Sequence, residues 1–458
     1  MSGPSGNPTG REKFTIVVLN IHQRTNIYEL QNSGYECCMY DIKICAPTVA
    51  DDMVLMSYSK NGLQKMIDIC DSYSKQWRFL YNASKCATLT FNENGTLDHQ
   101  RQFHLDDEKI PICENYSHLG IDCNGNMSAH KITQDASVKI RGTYMSIVGK
   151  GIGPAEFNAI TLMTIYNSAV LPKALYGSEL WCNVSAKDLS KLQKAHLFCI
   201  KHIQGLRVST STDFSLVTVN SVPLETSVDC NKLKFFGQLC RLCPRLLVKD
   251  IFHNRLIRFN NFDQQSVGFI PDICRIAQKY DLTDYILTYI ESADFPSKFQ
   301  WKKIINENVV IRTQNNMFER VQSRDKWNVT KHVIVRNSYS PLWDLARNKP
   351  DMKGICKQLI RCIGIFVSRS FIQTCRECEK RTDNLIIHLL CFCPYKERQQ
   401  NCLWKLIYEL LGHDEFKRCS VLDTSSQCAY VLKLASFNSN LCFSHLNIAK
   451  ATVKLLSL

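Results

Sequence analysis

Residues 45–57 read "CAPTVADDMVLMS" and set two adjacent aspartates, Asp51 and Asp52, between short apolar runs. The runs from Cys45 to Val49 and from Met53 to Met56 suit β-strands, and Asp is favoured in turns, so one reading is a tight hairpin with a solvated tip. The other is a metal site. Two carboxylates at a hairpin tip offer hard oxygen ligands for Mg²⁺, the ion that nucleotide polymerisation uses to stabilise charge around phosphorus. What surrounds the pair decides between them.

Downstream, Leu63, Met66, Ile67, Cys70, Tyr73 and Trp77 recur at helical spacing, and Asn61 and Gly62 make a plausible start. The segment "FLYNASKCATLTF" (residues 79–91) then predicts a turn containing Asn82 and Lys85, followed by a strand from Ala87 to Phe91. In "NENGTL" the pair Asn94-Gly95 is a hairpin signal, because both residues tolerate positive φ. "IPICENYSHLGIDCN" (residues 110–124) reads as a further strand pair bent at Gly120.

This order resembles the second half of the palm domain in reverse transcriptases of non-LTR (LINE-type) retrotransposons. The family's aromatic-Ala-Asp-Asp motif corresponds to Val49-Ala50-Asp51-Asp52, with Val in place of the aromatic residue. Asn82-x-x-Lys85 matches the next palm motif, and Tyr116-Ser117-His118-Leu119-Gly120 the primer grip. The resemblance implies that Asp51 binds Mg²⁺ with Asp52 as its neighbour, that Lys85 lies near the triphosphate of an incoming deoxynucleotide, and that Tyr116, Leu119 and Gly120 support the primer. The bland alternatives are a solvated turn lysine and ordinary strand packing.

In this family a further metal-binding Asp comes from a strand far upstream. Only 50 residues precede Asp51, and the sole Asp among them, Asp41, stands ten residues away in the strand entering the same hairpin. The two-metal Mg²⁺ site is therefore expected to be incomplete and the chain amino-terminally truncated. The resemblance begins near "NIYELQNSG", read as the helix before the hairpin.

The rest of the sequence sets broader limits. The 458 residues are 45% hydrophobic and 21% charged, enough for a large core and two to four domains. No apolar run is long enough to span a bilayer, and the first residues lack a signal-peptide core, so an intracellular protein with no membrane partner is expected, nucleus or cytoplasm unresolved. The 23 cysteines are scattered through apolar segments without an even framework, which favours reduced thiols. A net charge of +14 fits a polyanionic partner.

Beyond the palm, "KIRGTYMSIVGKGI", "AEFNAITLMTIYNSAVLPKALYGSELW" and "SAKDLSKLQKAHLFCIKHIQGL" predict successive helices. In the last, Leu189, Leu192, His196, Cys199, Ile200 and Ile203 share one side, while Lys187, Lys191, Lys194 and Lys201 share the other. That stripe reads as a backbone-tracking surface for RNA, DNA or an RNA–DNA hybrid, or as a solvated helix face. The stretch also resembles the region after the palm, which implies a thumb-like role. Lys349-Pro350-Asp351 is read as a loop, not as a nuclease motif.

Near the carboxyl end, Cys375-x₂-Cys378-x₉-His388-x₄-Cys393 offers three thiols and an imidazole, a set suited to tetrahedral Zn²⁺. Chance is the rival in so Cys-rich a chain, and Cys391 is a competing ligand. With Pro394 and Arg398, the spacing resembles the Cys-Cys-His-Cys element of LINE-type enzymes. Lys380, Arg381 and Lys396 stand by to offset a site of about −1 net charge.

The expectation is an α+β fold: an unassigned leader (1–26), a partial reverse-transcriptase palm (27–134), a helical thumb-like region (135–210), a mixed helical region (211–370), a zinc element (371–405) and a helical tail (406–458). The expected function is that of a retrotransposon-derived member of the RNA-directed DNA polymerase family, inactive alone. Two alternatives are a non-catalytic nucleic-acid-binding module using the helices and zinc element, and an inert product of a decayed element.

Overall fold

The computed structural model describes residues 26–39, 42–49, 52–90, 102–124, 129–259, 268–325, 328–368, 372–436 and 443–456. It is mostly helical with a few small sheets, an α+β arrangement. The chain divides into two units: residues 1–128 with 239–263, and residues 129–238 with 264–458.

In the first unit, residues 26–31 are helical. Four antiparallel hairpins follow, β1–β2 (Cys37–Met39, Ile42–Ile44), β3–β4 (Thr48–Val49, Asp52–Met53), β5–β6 (Phe103–Leu105, Glu108–Ile110) and β7–β8 (Asn115–His118, Ile121–Asn124). Among the described residues each is a separate two-stranded sheet. The helix Lys60–Trp77 follows β4. It starts earlier than Asn61-Gly62, because the Ser59 hydroxyl accepts the Gly62 N–H and caps the first turn. Met66, Ile67, Cys70 and Tyr73 are buried as their spacing requires, whereas Trp77 is exposed at the last turn.

The predicted strand from Ala87 reduces to a single bridge. Thr88 N–H donates to Pro111 O and Thr88 O accepts from Cys113, while Phe91 and the Asn94-Gly95 turn lie outside the described residues. The β5–β6 hairpin, which the sequence reading missed, turns at Asp106 with φ 54°. The β7–β8 hairpin turns through Leu119 (φ 51°) and Gly120 (φ 77°). This two-residue loop with both φ positive matches the twist of its strands.

The second unit is a helical assembly whose largest described core draws on residues from Ala136 to Leu456. Helices Ala129–Gly149 and Ala186–Gln204 lie side by side, linked by Tyr144 Oη to His202 Nδ1 at 2.7 Å and by His130 Nδ1 to Asp188 at 2.7 Å. The 58-residue offset shared by these two pairs means that the helices run parallel. The first of these helices passes through the boundary expected at 134/135. Most of the described residues between 211 and 370 are helical, and buried side chains from 214–228 and 317–366 contribute to the same core.

His196 is buried in that core with Tyr166 Oη at 2.8 Å from Nδ1 and Val222 O at 3.2 Å from Nε2. The neutral ring with its proton on Nε2 satisfies both contacts. Burial disfavours the imidazolium and pushes the pKa down to about 4. An unfolded His196 takes up its proton near pH 6.5, so between pH 6.5 and about 4 the unfolded state binds more protons. Stability present at pH 7 is then lost as the pH falls through this window, by up to about 3 kcal/mol. Urea unfolding of parent and His196→Gln at pH 7, 5 and 4 checks this: the variant should show the shallower decline.

Candidate metal centre

The four Cys/His positions converge. One ligand atom from each of Cys375, Cys378, His388 and Cys393 lies within 4.8 Å of every other. Cys375 Sγ is 3.9 Å from Cys393 Sγ, and Cys378 Sγ is 3.1 Å from His388 Nε2. Zinc–sulfur and zinc–nitrogen bonds of about 2.3 and 2.0 Å place tetrahedral ligands roughly 3.5–3.8 Å apart, so a small adjustment encloses the ion.

Local backbone explains the convergence. β9 (Gln373–Thr374) and β10 (Arg381–Thr382) pair antiparallel, and Cys375 N–H donates to Lys380 O. The chain returns through Glu379 at φ 57°. The N–H groups of Glu377 and Cys378 point back at Cys375 Sγ, as Tyr395 N–H does at Cys393. Such N–H donors favour thiolate. Burial raises the Cys375 pKa, but these donors and the neighbouring thiols hold it below its ordinary value. Cys393 goes the other way, to about 11, through burial and the nearby Cys375. Burial first, and the Lys380 charge second, keep His388 low, so its imidazole is neutral and ready to ligate.

On the other arm, Asn384 caps a short helix, Leu385–Ile387, by accepting from Ile386 and Ile387. The turn then widens to π geometry over His388–Phe392, with Cys393 N–H donating to His388 O at 2.8 Å. The wider turn returns Cys393, five residues on, to the side of His388. Cys391 sits off that side and turns to Cys428 instead, so it is not part of the cluster. Buried Gln400 donates to Leu389 O and Cys393 O and fixes the turn. Lys396 pairs with Glu377 at 3.3 Å, so its charge is shared within the site's own rim. Donor chemistry, spacing and N–H support all suit a thiolate-rich zinc site.

The remaining predicted site residues lie on other elements. In β3–β4 the register pairs Val49 with Asp52, and Asp52 is exposed, while Ala50 and Asp51 lie outside the described residues. Asn82 Oδ1 accepts from Lys85 N–H in a 3₁₀ turn, Ala83–Lys85, and Tyr116 Oη donates to Lys85 O at 3.5 Å. Lys85 and the Tyr116-to-Gly120 hairpin are thus brought together. Lys187, Lys191 and Lys194 are exposed along helix Ala186–Gln204. Lys201 differs: its half-buried ammonium donates to Val208 O and Thr210 O, both at 2.6 Å, and closes the loop after the helix. Phe198 follows Lys194 on the exposed side, with the Arg141 guanidinium 5.2 Å from its ring centre. Neither was singled out from sequence. Phe198 obeys the lysine spacing, but Arg141 reaches it only through the parallel helix packing.

No protein-family model matches the chain. Over 214 residues, 44% of this chain, the sequence is 24% identical to the RNA-directed DNA polymerase from mobile element jockey of Drosophila melanogaster. This supports a reverse-transcriptase relationship. The match spans 22% of the length of that polymerase. Among the described residues, no helix is long and apolar enough to cross a membrane.

Proposed function

We propose that the chain is a nucleic-acid-binding relative of non-LTR reverse transcriptases that engages RNA or an RNA–DNA hybrid through helix Ala186–Gln204, with a zinc element stiffening the same helical unit. The observation that carries this reading is the exposed row Lys187, Lys191 and Lys194, extended by Phe198 and Arg141, in a chain of net charge +14. Lysines neutralise phosphates, and an exposed aromatic ring offers a stacking face for a base. Similarity to the jockey polymerase supports the same class of partner.

The aspartate hairpin and its neighbours belong to the polymerase side of this reading. In RNA-directed DNA synthesis a primer 3′-hydroxyl attacks the α-phosphate of a deoxynucleotide while two Mg²⁺ ions stabilise the developing charge. Asp51 and Asp52 are assigned to the metals, Lys85 to the leaving pyrophosphate, and Tyr116, Leu119 and Gly120 to the primer strand.

Binding to an RNA–DNA hybrid, measured by fluorescence anisotropy across a salt series, tests the row. Each phosphate contact contributes roughly 0.9 to the slope of log affinity against log salt on duplex DNA. Changing Lys187, Lys191 and Lys194 together to Gln should flatten the slope by about 3 and weaken binding with little regard to sequence. An unchanged slope would reduce the row to a solvated face. Lys201→Gln should instead leave the slope intact and cost about 1–3 kcal/mol of stability, through the carbonyls it leaves unpaired.

A further inference from the structure

Behind the metal cluster, Cys391 Sγ lies 3.4 Å from Cys428 Sγ. The two thiols come from different elements, the π turn His388–Phe392 and the helix Thr424–Ala435, and are 37 residues apart in sequence. They also differ in access. Cys391 is partly exposed, whereas Cys428 is wholly buried among Ala429, Val431 and Leu432. None of the described cysteines is in a disulfide. Cys375, Cys378 and Cys393 are committed to the metal cluster, and Cys391 and Cys428 stand outside it.

We propose that Cys391 and Cys428 form a peroxide-responsive dithiol, in which Cys391 is the attacking thiol and Cys428 the resolving one. The Cys391 sulfur attacks one oxygen of hydrogen peroxide, the O–O bond breaks, and the departing oxygen takes up the thiol proton and leaves as water. Cys391 is now a sulfenic acid. The Cys428 sulfur then attacks the Cys391 sulfur, the S–O bond breaks, and water departs with the Cys428 proton. Two thiols lose two electrons in all, and one peroxide becomes two waters. The asymmetry in access sets the order, because peroxide reaches Cys391 from solvent while Cys428 is shielded until the sulfenic acid forms beside it.

Position gives the reaction its consequence. Cys391 lies between ligands His388 and Cys393 on the π turn, so the new bond ties that turn to helix Thr424–Ala435. Disulfide formation does not consume a metal ligand. The pair is therefore expected to oxidise with zinc content unchanged, which separates this inference from the zinc assignment itself.

The test uses the full chain treated with a few equivalents of hydrogen peroxide, alkylated with N-ethylmaleimide and digested without reduction. Mass spectrometry should find the peptide linked through Cys391 and Cys428 as the most abundant disulfide, with bound zinc measured on the same sample. In Cys428→Ala the linked peptide should vanish and Cys391 should instead be labelled by dimedone, which traps sulfenic acids. Oxidation elsewhere without this link, or a dominant Cys375–Cys393 link, overturns the proposal. Should the Ala variant fold poorly, the parent's own disulfide map decides.

Discussion

Cys375→Ser and His388→Ala proteins are expected to lose the bound zinc that the parent should hold at about one ion per chain. Each removes one of four ligand atoms that already lie within 4.8 Å of one another. The loss should not stay local. Cys375, Leu385, Ile386, Leu389, Leu390 and Cys393 belong to the same buried core as Ala136, Leu192 and Leu456. A metal present at a thousand times its dissociation constant stabilises the native state by about 4 kcal/mol, and structural zinc sites bind far more tightly than that. We therefore expect each variant, and the parent stripped by a chelator, to melt roughly 10 °C lower. Elemental analysis and calorimetry check this. Unchanged zinc content in both variants would remove the assignment.

The second large effect is a silence. The 458-residue protein by itself is expected to give no template-dependent extension of a primer on RNA with Mg²⁺ or Mn²⁺. In-line transfer needs both metals held against the attacking and leaving oxygens. Asp51 and Asp52 supply one motif, and the family resemblance calls for a further metal-binding Asp from a separate strand. Loss of positioning alone removes orders of magnitude in rate. Asp51→Ala with Asp52→Ala is the control. Extension by the parent that disappears in this variant would falsify the inactive reading, and would mean that a second copy or residues outside those described complete the site.

What could be read in the sequence follows from how local each signal is. The Cys/His cluster was legible because thiols and an imidazole at short spacing have few other uses together. The π turn that aligns them was not, since nothing in "HLLCFC" distinguishes a widened turn from an ordinary helix. Helix Lys60–Trp77 was legible from its apolar period, and its start lies one residue before Asn61, set by the Ser59 side-chain cap. The hairpin around Asp106 was missed because its strands are three residues long and its turn is charged. Lys201 shows the limit of a stripe: it keeps the spacing of Lys187, Lys191 and Lys194, yet two carbonyls of the following loop capture its ammonium. Arg141 depends on a helix 45 or more residues away and leaves no local trace.

The core that joins Ala136 to Leu455 and Leu456 also governs how the protein is made. Synthesis runs from the amino end, so helices Ala129–Gly149 and Ala186–Gln204, which pack on each other, leave the ribosome long before residues 443–456, which pack on helices Lys353–Phe366, Glu397–Ser420 and Thr424–Ala435. Until residues 443–456 emerge, those three later helices carry apolar faces without their final cover, the condition under which chains associate wrongly or recruit chaperones. Closure of this part of the second unit is consequently a late event, and the Cys/His segment from Cys375 to Cys393 emerges in time to lock it rather than to nucleate it.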